Sequence, residues 1–260
     1  MSERIDIGGI PLDNLTLDEC LTRFDELITK REPVYVITAN VDHVVKLAKN
    51  PAYRKVYDEA ALNLADGVPL MWAGKFLGTP LKKKISGSDL LPIVCRESAR
   101  KGYRLFFMGG RQEAAELAAI KFREQFPGLQ IVGTYCPPFG FEKDNAENEK
   151  IISMIRDSKA DILFVGLGAP KQENWICPNR FKYNIPISIG VGASFEFAAG
   201  MVQRAPVWMQ KIGLEWFWRI IMEPGRLWRR YLVDDMLFFP LIFKQKLRQE
   251  SPPLFAEKLK

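Results

Sequence analysis

The sequence predicts an α/β fold, with a core built on a largely parallel sheet and a C-terminal helical appendage. Three observations carry this. Short apolar runs alternate with longer amphipathic stretches, the order expected of repeated strand–helix units. Most of the apolar runs are continuous, as strands covered on both faces require. Beyond about Gly200 the texture changes: Trp208, Trp216, Trp218 and Trp228 fall among arginines within a short span.

The first element is a helix over Leu15–Thr29, with Thr16 as N-cap and Glu19 completing a capping box. Strands follow at Val34–Thr38, Leu62–Ala65, Arg104–Met108, Gln130–Thr134, Asp161–Val165 and Pro186–Gly190. Between them, Val44–Glu59, Asp89–Lys101, Arg111–Gln125 and Ala146–Ser158 read as helices. Ala205–Lys246 reads as two or three more, broken at Pro224-Gly225. The chain thus divides into a core over residues 1–200 and a basic, aromatic-rich appendage over 201–260. Every predicted strand precedes Gly200, so the core is expected to fold without the appendage.

The formal net charge of +6 is modest but uneven. From Met201 onward arginine and lysine outnumber aspartate and glutamate, which calls for an anionic partner. Cys20, Cys95, Cys136 and Cys177 are far apart and form no C-x-x-C, so neither a zinc site nor a disulfide framework is expected. Reduced thiols fit a cytosolic protein. Met1–Asp6 lacks the pattern of a signal peptide. No apolar run is long enough to span a bilayer, since the best candidate, Leu232–Phe243, contains Asp234, Asp235 and Pro240.

Ligands of such sheets bind beyond the carboxyl ends of the strands. The residues there are polar and glycine-rich: Thr38-Ala39-Asn40, Ala65-Asp66-Gly67, Gly109-Gly110-Arg111, Gly166-Leu167-Gly168 and Gly190-Val191-Gly192. Asp66, at a strand end, reads as a general base or hydroxyl acceptor, or else as a cap for the next helix. The segment Gly168-Ala169-Pro170-Lys171-Gln172-Glu173 opens a helix whose free amides favour an anion such as a diphosphate. His43, the only histidine, falls near the rim as a structural hydrogen-bonder or a catalyst. No D-x-D triplet occurs, so no metal site is expected, and arginines would neutralise a leaving diphosphate instead. Arg219, Arg226 and Arg230 would share a face if their helix ran on past Pro224.

Taken together these stretches resemble the WecG/TagA/CpsF family of bacterial glycosyltransferases. The matching segments also include Lys84-Ile85-Ser86-Gly87-Ser88-Asp89-Leu90, Phe107-Met108-Gly109-Gly110, Gln203-Arg204-Ala205-Pro206, Gly213-Leu214-Glu215-Trp216 and Glu223-Pro224-Gly225-Arg226. They run in order over nearly the whole chain. The resemblance implies a Rossmann-like core with a C-terminal appendage. It implies inverting transfer from a UDP-sugar, of an N-acetylhexosamine or related hexose, to a sugar on undecaprenyl diphosphate. The products feed cell-surface polysaccharide or teichoic acid synthesis. Asp66 takes the place of the catalytic aspartate. Thr38 and Asn40 fall near the acceptor, and Lys84, Gly109, Gly168, Gln172 and Gly192 fall at the substrate rim. Arg219, Arg226 and Arg229 match the arginines that engage the diphosphate. Two departures stand out: Lys84 replaces a more usual arginine, and Pro69 follows Asp66-Gly67-Val68 where many members carry glycine.

The implied partners are the UDP-sugar, the lipid-linked acceptor and an anionic membrane surface, with no cofactor and no nucleic acid. Homo-oligomerisation is left open. The implied location is cytoplasmic, at the inner face of the cell membrane. A Rossmann oxidoreductase would need G-x-G-x-x-G after the first strand and an acidic residue about twenty positions on, and has neither here. A non-enzymatic membrane- or nucleic-acid-binding module would account for the Arg/Trp appendage but not for five polar strand ends.

Overall fold

The computed structural model describes residues 3–250, apart from the side chain of Arg226. Lys258 and Lys260, which belong to the basic tail, lie outside the described residues. The chain opens with an antiparallel hairpin of β1 (Arg4–Ile7) and β2 (Ile10–Asp13). Gly8 and Gly9 make its turn, both with positive φ. This hairpin is absent from the expectations above, although a Gly-Gly pair between alternating apolar residues is a hairpin signal. Helix α1 (Leu17–Lys30) follows, with the Thr16–Glu19 capping box in place.

The core then reads β3 (Val34–Ala39), α2 (Val41–Lys49), α3 (Arg54–Asp58), β4 (Leu62–Ala65), α4 (Val68–Leu77), α5 (Gly87–Lys101), β5 (Arg104–Gly109) and α6 (Ala114–Gln125). It continues through β6 (Gln130–Tyr135), α7 (Asn145–Ser158), β7 (Ile162–Gly166), α8 (Lys171–Tyr183), β8 (Ile187–Gly190) and α9 (Ser194–Ala199). All six predicted strands are present. They form one sheet in the order β4-β3-β8-β7-β5-β6, and every pairing is parallel. Successive side chains serve opposite faces. Tyr35, Phe106 and Leu163 join one core cluster, while Val36, Phe107 and Phe164 join the other. That two-sided burial explains why the strands read as continuous apolar runs.

Two helical expectations change. The stretch 44–59 is not one helix: it breaks where Asn50 precedes Pro51, a position that disfavours helical backbone. The break turns Tyr53 and Tyr57 inward. The appendage contains α10 (Val207–Lys211), α11 (Glu215–Met222), α12 (Pro224–Arg229) and α13 (Phe238–Glu250). The chain breaks at Glu223, and Pro224 opens α12. A π-helical turn over Arg230–Asp234 and a 3-10 turn over Asp235–Leu237 lead into α13.

Helix α13 returns to the core. Its Phe238 and Ile242 are buried in the first cluster with Ile7 and Leu70. Gln245 accepts from Gly8 N at 2.8 Å and donates to Asp6 O at 2.9 Å. Burying two such side chains contributes about 3–6 kcal/mol. No helix among the described residues is long and apolar enough to cross a membrane.

Candidate active site

The strands β5 and β7 are neighbours, yet their following connections depart in opposite directions, to β6 and to β8. Ligands bind at such switch points. Two cavities open along this rim and share Gly168, Gly192 and Ala193. The first, of about 210 Å³, lies under the appendage. The second, of about 750 Å³, lies over the β5–β7 seam and is lined by Arg111, Cys136, Phe139, Lys171 and Glu196 among others.

Asp66 stands at the first cavity, held beside β3 by its N–H donating to Ala39 O at 2.7 Å. Protein surrounds its carboxyl, though part of its surface opens to the cavity. That enclosure, with the Glu215 carboxylate nearby, raises its pKa to about 6 despite the opposing charge of Lys84. The backbone that follows turns into α4, where Pro69 sits in the first helical turn. The departure at Pro69 is thus accommodated by helix geometry, and the ring itself lines the cavity.

Thr38, Asn40, Lys84, Gly168, Gln172, Gly192 and Arg219 all join Asp66 around this cavity. Thr38 is buried and donates from Oγ1 to Gly190 O at 2.8 Å. Asn40 precedes the first turn of α2, and its Oδ1 lies 2.9 Å from His43 Nδ1. Gln172 ties the two shared loops together: its Oε1 accepts from Gly168 N at 3.2 Å and from Gly192 N at 3.1 Å. Its Nε2 donates to Glu173 Oε1 at 2.6 Å.

Glu173 is a buried carboxylate that sequence reasoning left without a role. Tyr53 donates to its Oε2 at 3.0 Å, and His43 Nε2 lies 3.4 Å from its Oε1. Burial would push Glu173 up, but the donors from His43 and Gln172 hold it below the usual carboxylate value. His43 therefore bridges Glu173 to Asn40, the structural hydrogen-bonding role, and it also reaches the cavity wall.

Not every predicted residue lies here. Gly109 lines neither cavity: it sits beneath the rim, where a Cβ would come within 2.8 Å of Gly166 O. Its lack of a side chain serves the close approach of β5 to β7. Arg229 is exposed and outside the cavity, whereas Arg230 lines it. The expected helical face of Arg219, Arg226 and Arg230 does not form as one helix, because the chain breaks at Glu223. The site assignment of Arg226 concerns a side chain outside the described residues.

The appendage contributes more than Arg219. Arg230 pairs with Asp42 at 3.3 Å and with Asp235 at 3.7 Å. Arg219 reaches Tyr231 OH at 3.4 Å, stacks over Phe197, and lies 3.9 Å from Glu223, which also pairs with Arg111 of the second cavity. Arg204 bridges Asp89 at 2.8 Å and Glu215 at 3.5 Å. Asp89 also binds Lys84 at 3.2 Å and accepts from Ser86 Oγ at 2.6 Å. The Gln203–Pro206 and Gly213–Trp216 segments flagged Arg204 and Glu215 without assigning them work. The cavity is thus a mixed-charge pocket in which burial raises two carboxyls, Asp66 and Asp235, to about 6, with Lys84, Arg219 and Arg230 as lining cations. Among the described residues, no group of three or more His, Cys, Asp and Glu is placed to hold a metal ion. The four cysteines are free.

Residues 5–252 match the family model described as "Glycosyl transferase WecG/TagA/CpsF family". An N-acetylglucosaminyldiphosphoundecaprenol N-acetyl-beta-D-mannosaminyltransferase from Bacillus spizizenii is 32% identical over 205 residues, 79% of this chain and 77% of that protein. A protein of the same name from Staphylococcus aureus is 26% identical over 248 residues, 95% of each chain. A match spanning core and appendage alike means that this chain belongs to the WecG/TagA/CpsF family and is a glycosyltransferase.

Proposed function

We propose that this glycosyltransferase moves an N-acetylhexosamine or related hexose from a UDP-sugar to a sugar carried on undecaprenyl diphosphate, with inversion at the anomeric carbon. The observation that carries the reading is Asp66, with its pKa near 6, facing a cavity whose walls hold Lys84, Arg219 and Arg230. The names of the Bacillus and Staphylococcus relatives support the acceptor class.

The reaction is a single in-line displacement. An acceptor hydroxyl attacks the anomeric carbon and loses its proton to Asp66. The bond between that carbon and the diphosphate oxygen breaks, and UDP departs. Preorganised cations favour the charge that develops on the leaving diphosphate. Arg219 suits this because it lies on the side of the second cavity, to which Glu223 and Arg111 connect it. That second cavity takes the nucleoside: it has room, an exposed Phe139 ring, and a buried Glu196 whose Oε2 has no hydrogen-bond partner. The appendage lies against the inner face of the membrane, with Trp208, Trp228 and Leu232 about half exposed.

The test is Asp66→Asn with a UDP-N-acetylhexosamine panel and a short-chain lipid diphosphate acceptor. Turnover falls about 10²–10⁴-fold, the usual contribution of a general base, while UDP affinity stays within about twofold. Near-parental turnover removes Asp66 from the base role. Chelator leaves the parent rate within about twofold, because cations take the place of a metal at the diphosphate. A strict requirement for added Mg²⁺ or Mn²⁺ overturns that part of the mechanism.

A further inference from the structure

Beside the reaction cavity a second kind of hollow runs between α4 and α13. Pro69, Trp72 and Phe76 form one wall, spaced along a single helical face. Phe239 and Phe243 form the other. The groove holds about 480 Å³, within the roughly 300–1,000 Å³ of small-molecule sites. Trp72, Phe76, Phe239 and Phe243 are 51%, 50%, 55% and 55% exposed. Four large aromatic rings left in water around one hollow create a surface that an apolar ligand would cover favourably.

The groove is continuous with the site. Pro69 lines both the reaction cavity and the groove. On the opposite wall, Arg230 and Asp235 face the cavity, and α13 begins three residues after Asp235. The α13 wall passes from charged Asp235 to aromatic Phe239 within about one helical turn, and the α4 wall runs from Asp66 through Pro69 to Trp72. A ligand that matches this change must carry an anionic head joined directly to an apolar chain. A prenyl diphosphate has that construction. A diacyl phospholipid does not, since a glycerol unit separates its phosphate from two chains, and the groove is one.

We propose that the α4–α13 groove binds the first isoprene units of a polyprenyl diphosphate whose head group reaches Arg230 in the reaction cavity. This rests on the acceptor class given under the proposed function and adds to it the site that reads the lipid.

The experiment is a calorimetric titration of the full chain with dimethylallyl, geranyl, farnesyl and geranylgeranyl diphosphate, each below its aggregation limit. Affinity increases at least about tenfold from the shortest tail to the longest, because each added unit buries further apolar surface. Phe76→Asp with Phe239→Asp abolishes that gain and leaves dimethylallyl diphosphate affinity within about twofold, since the head-group contacts are untouched. Leu232→Asp, on exposed appendage surface outside the groove, keeps the gain. Affinity independent of tail length in the parent overturns the proposal. So does a gain that survives the double variant, or one lost equally in Leu232→Asp, which would mark general adsorption to apolar surface. Tail-length dependence without sugar transfer to any acceptor keeps the groove and removes the transferase acceptor reading. Transfer without tail-length dependence does the reverse.

Discussion

Asp66 has a folded-state pKa raised to about 6 from an ordinary 3.8. Two consequences follow from one cause. A base must be deprotonated, so the transfer rate should climb with pH along an acidic limb centred near 6 and level above it. A rate that is flat between pH 5 and 8 would detach the limb from Asp66. Stability runs the other way. The folded state holds this proton more tightly than the unfolded chain, so Asp66 costs nothing below about pH 4. Its cost grows between about 4 and 6 and is complete above. Asp66→Asn should therefore melt higher than the parent at pH 7.5, with the gain vanishing near pH 4. The gain is at most about 3 kcal/mol, less in proportion to solvent in the cavity. Glu173, one shell further in, shows the opposite balance: its donors outweigh burial and keep it charged. Its place behind Gln172 and His43 is what holds the Gly168 and Gly192 loops and Asn40 in register.

At the scale of elements, the turns after α11 decide which arginines act. A helix running unbroken from Glu215 would have given Arg219, Arg226 and Arg230 one face. The stop at Glu223 and the π-helical turn over Arg230–Asp234 re-aim the chain, as such turns often do at functional sites. Arg219 and Arg230 then both line the cavity, while Arg229 faces solvent. Removing a preorganised donor to developing charge costs about 10²–10³ in rate. Arg219→Ala should lose activity on that order, measured as kcat/KM, Arg230→Ala should act chiefly by raising KM for the lipid acceptor, and Arg229→Ala should stay within about twofold. Equal losses in all three would point to the net charge of the appendage rather than to two positioned side chains.

At the scale of the whole molecule, the appendage shares one of the two apolar clusters of the core. Phe238 and Ile242 pack with the β1–β2 hairpin and α4, and Arg204, Arg111, Asp42 and Lys49 form ion pairs across the boundary. Ending the chain at Gly200 exposes that contact surface. The remaining core should still form its sheet, with a melting temperature lower by roughly 10 °C for a loss of about 3–6 kcal/mol. It should stay inactive even on a water-soluble acceptor, because Glu215, Arg219 and Arg230 leave with the appendage. Full activity of the shortened protein on that acceptor would show that the appendage takes no part in the chemistry.

The six strands, the capping box at Thr16 and Glu19, and the polar rim that contains Asp66 are all legible along the chain. These are local or periodic signals: a doubly covered strand must be apolar throughout, and a strand end carries its loop chemistry next to it in the chain. The Gly8-Gly9 hairpin is an equally local signal. Tertiary structure alone decided the rest. That β5 and β7 are neighbours whose connections diverge, that Arg230 rather than Arg229 reaches the cavity, that Glu173 organises His43 and Gln172, and that α13 lies against α4 all depend on contacts between distant segments. Residues 173 and 43 are separated by most of the core, and 69 and 239 by nearly all of it. No periodicity along the chain encodes those distances, since burial and charge pairing across the fold select them.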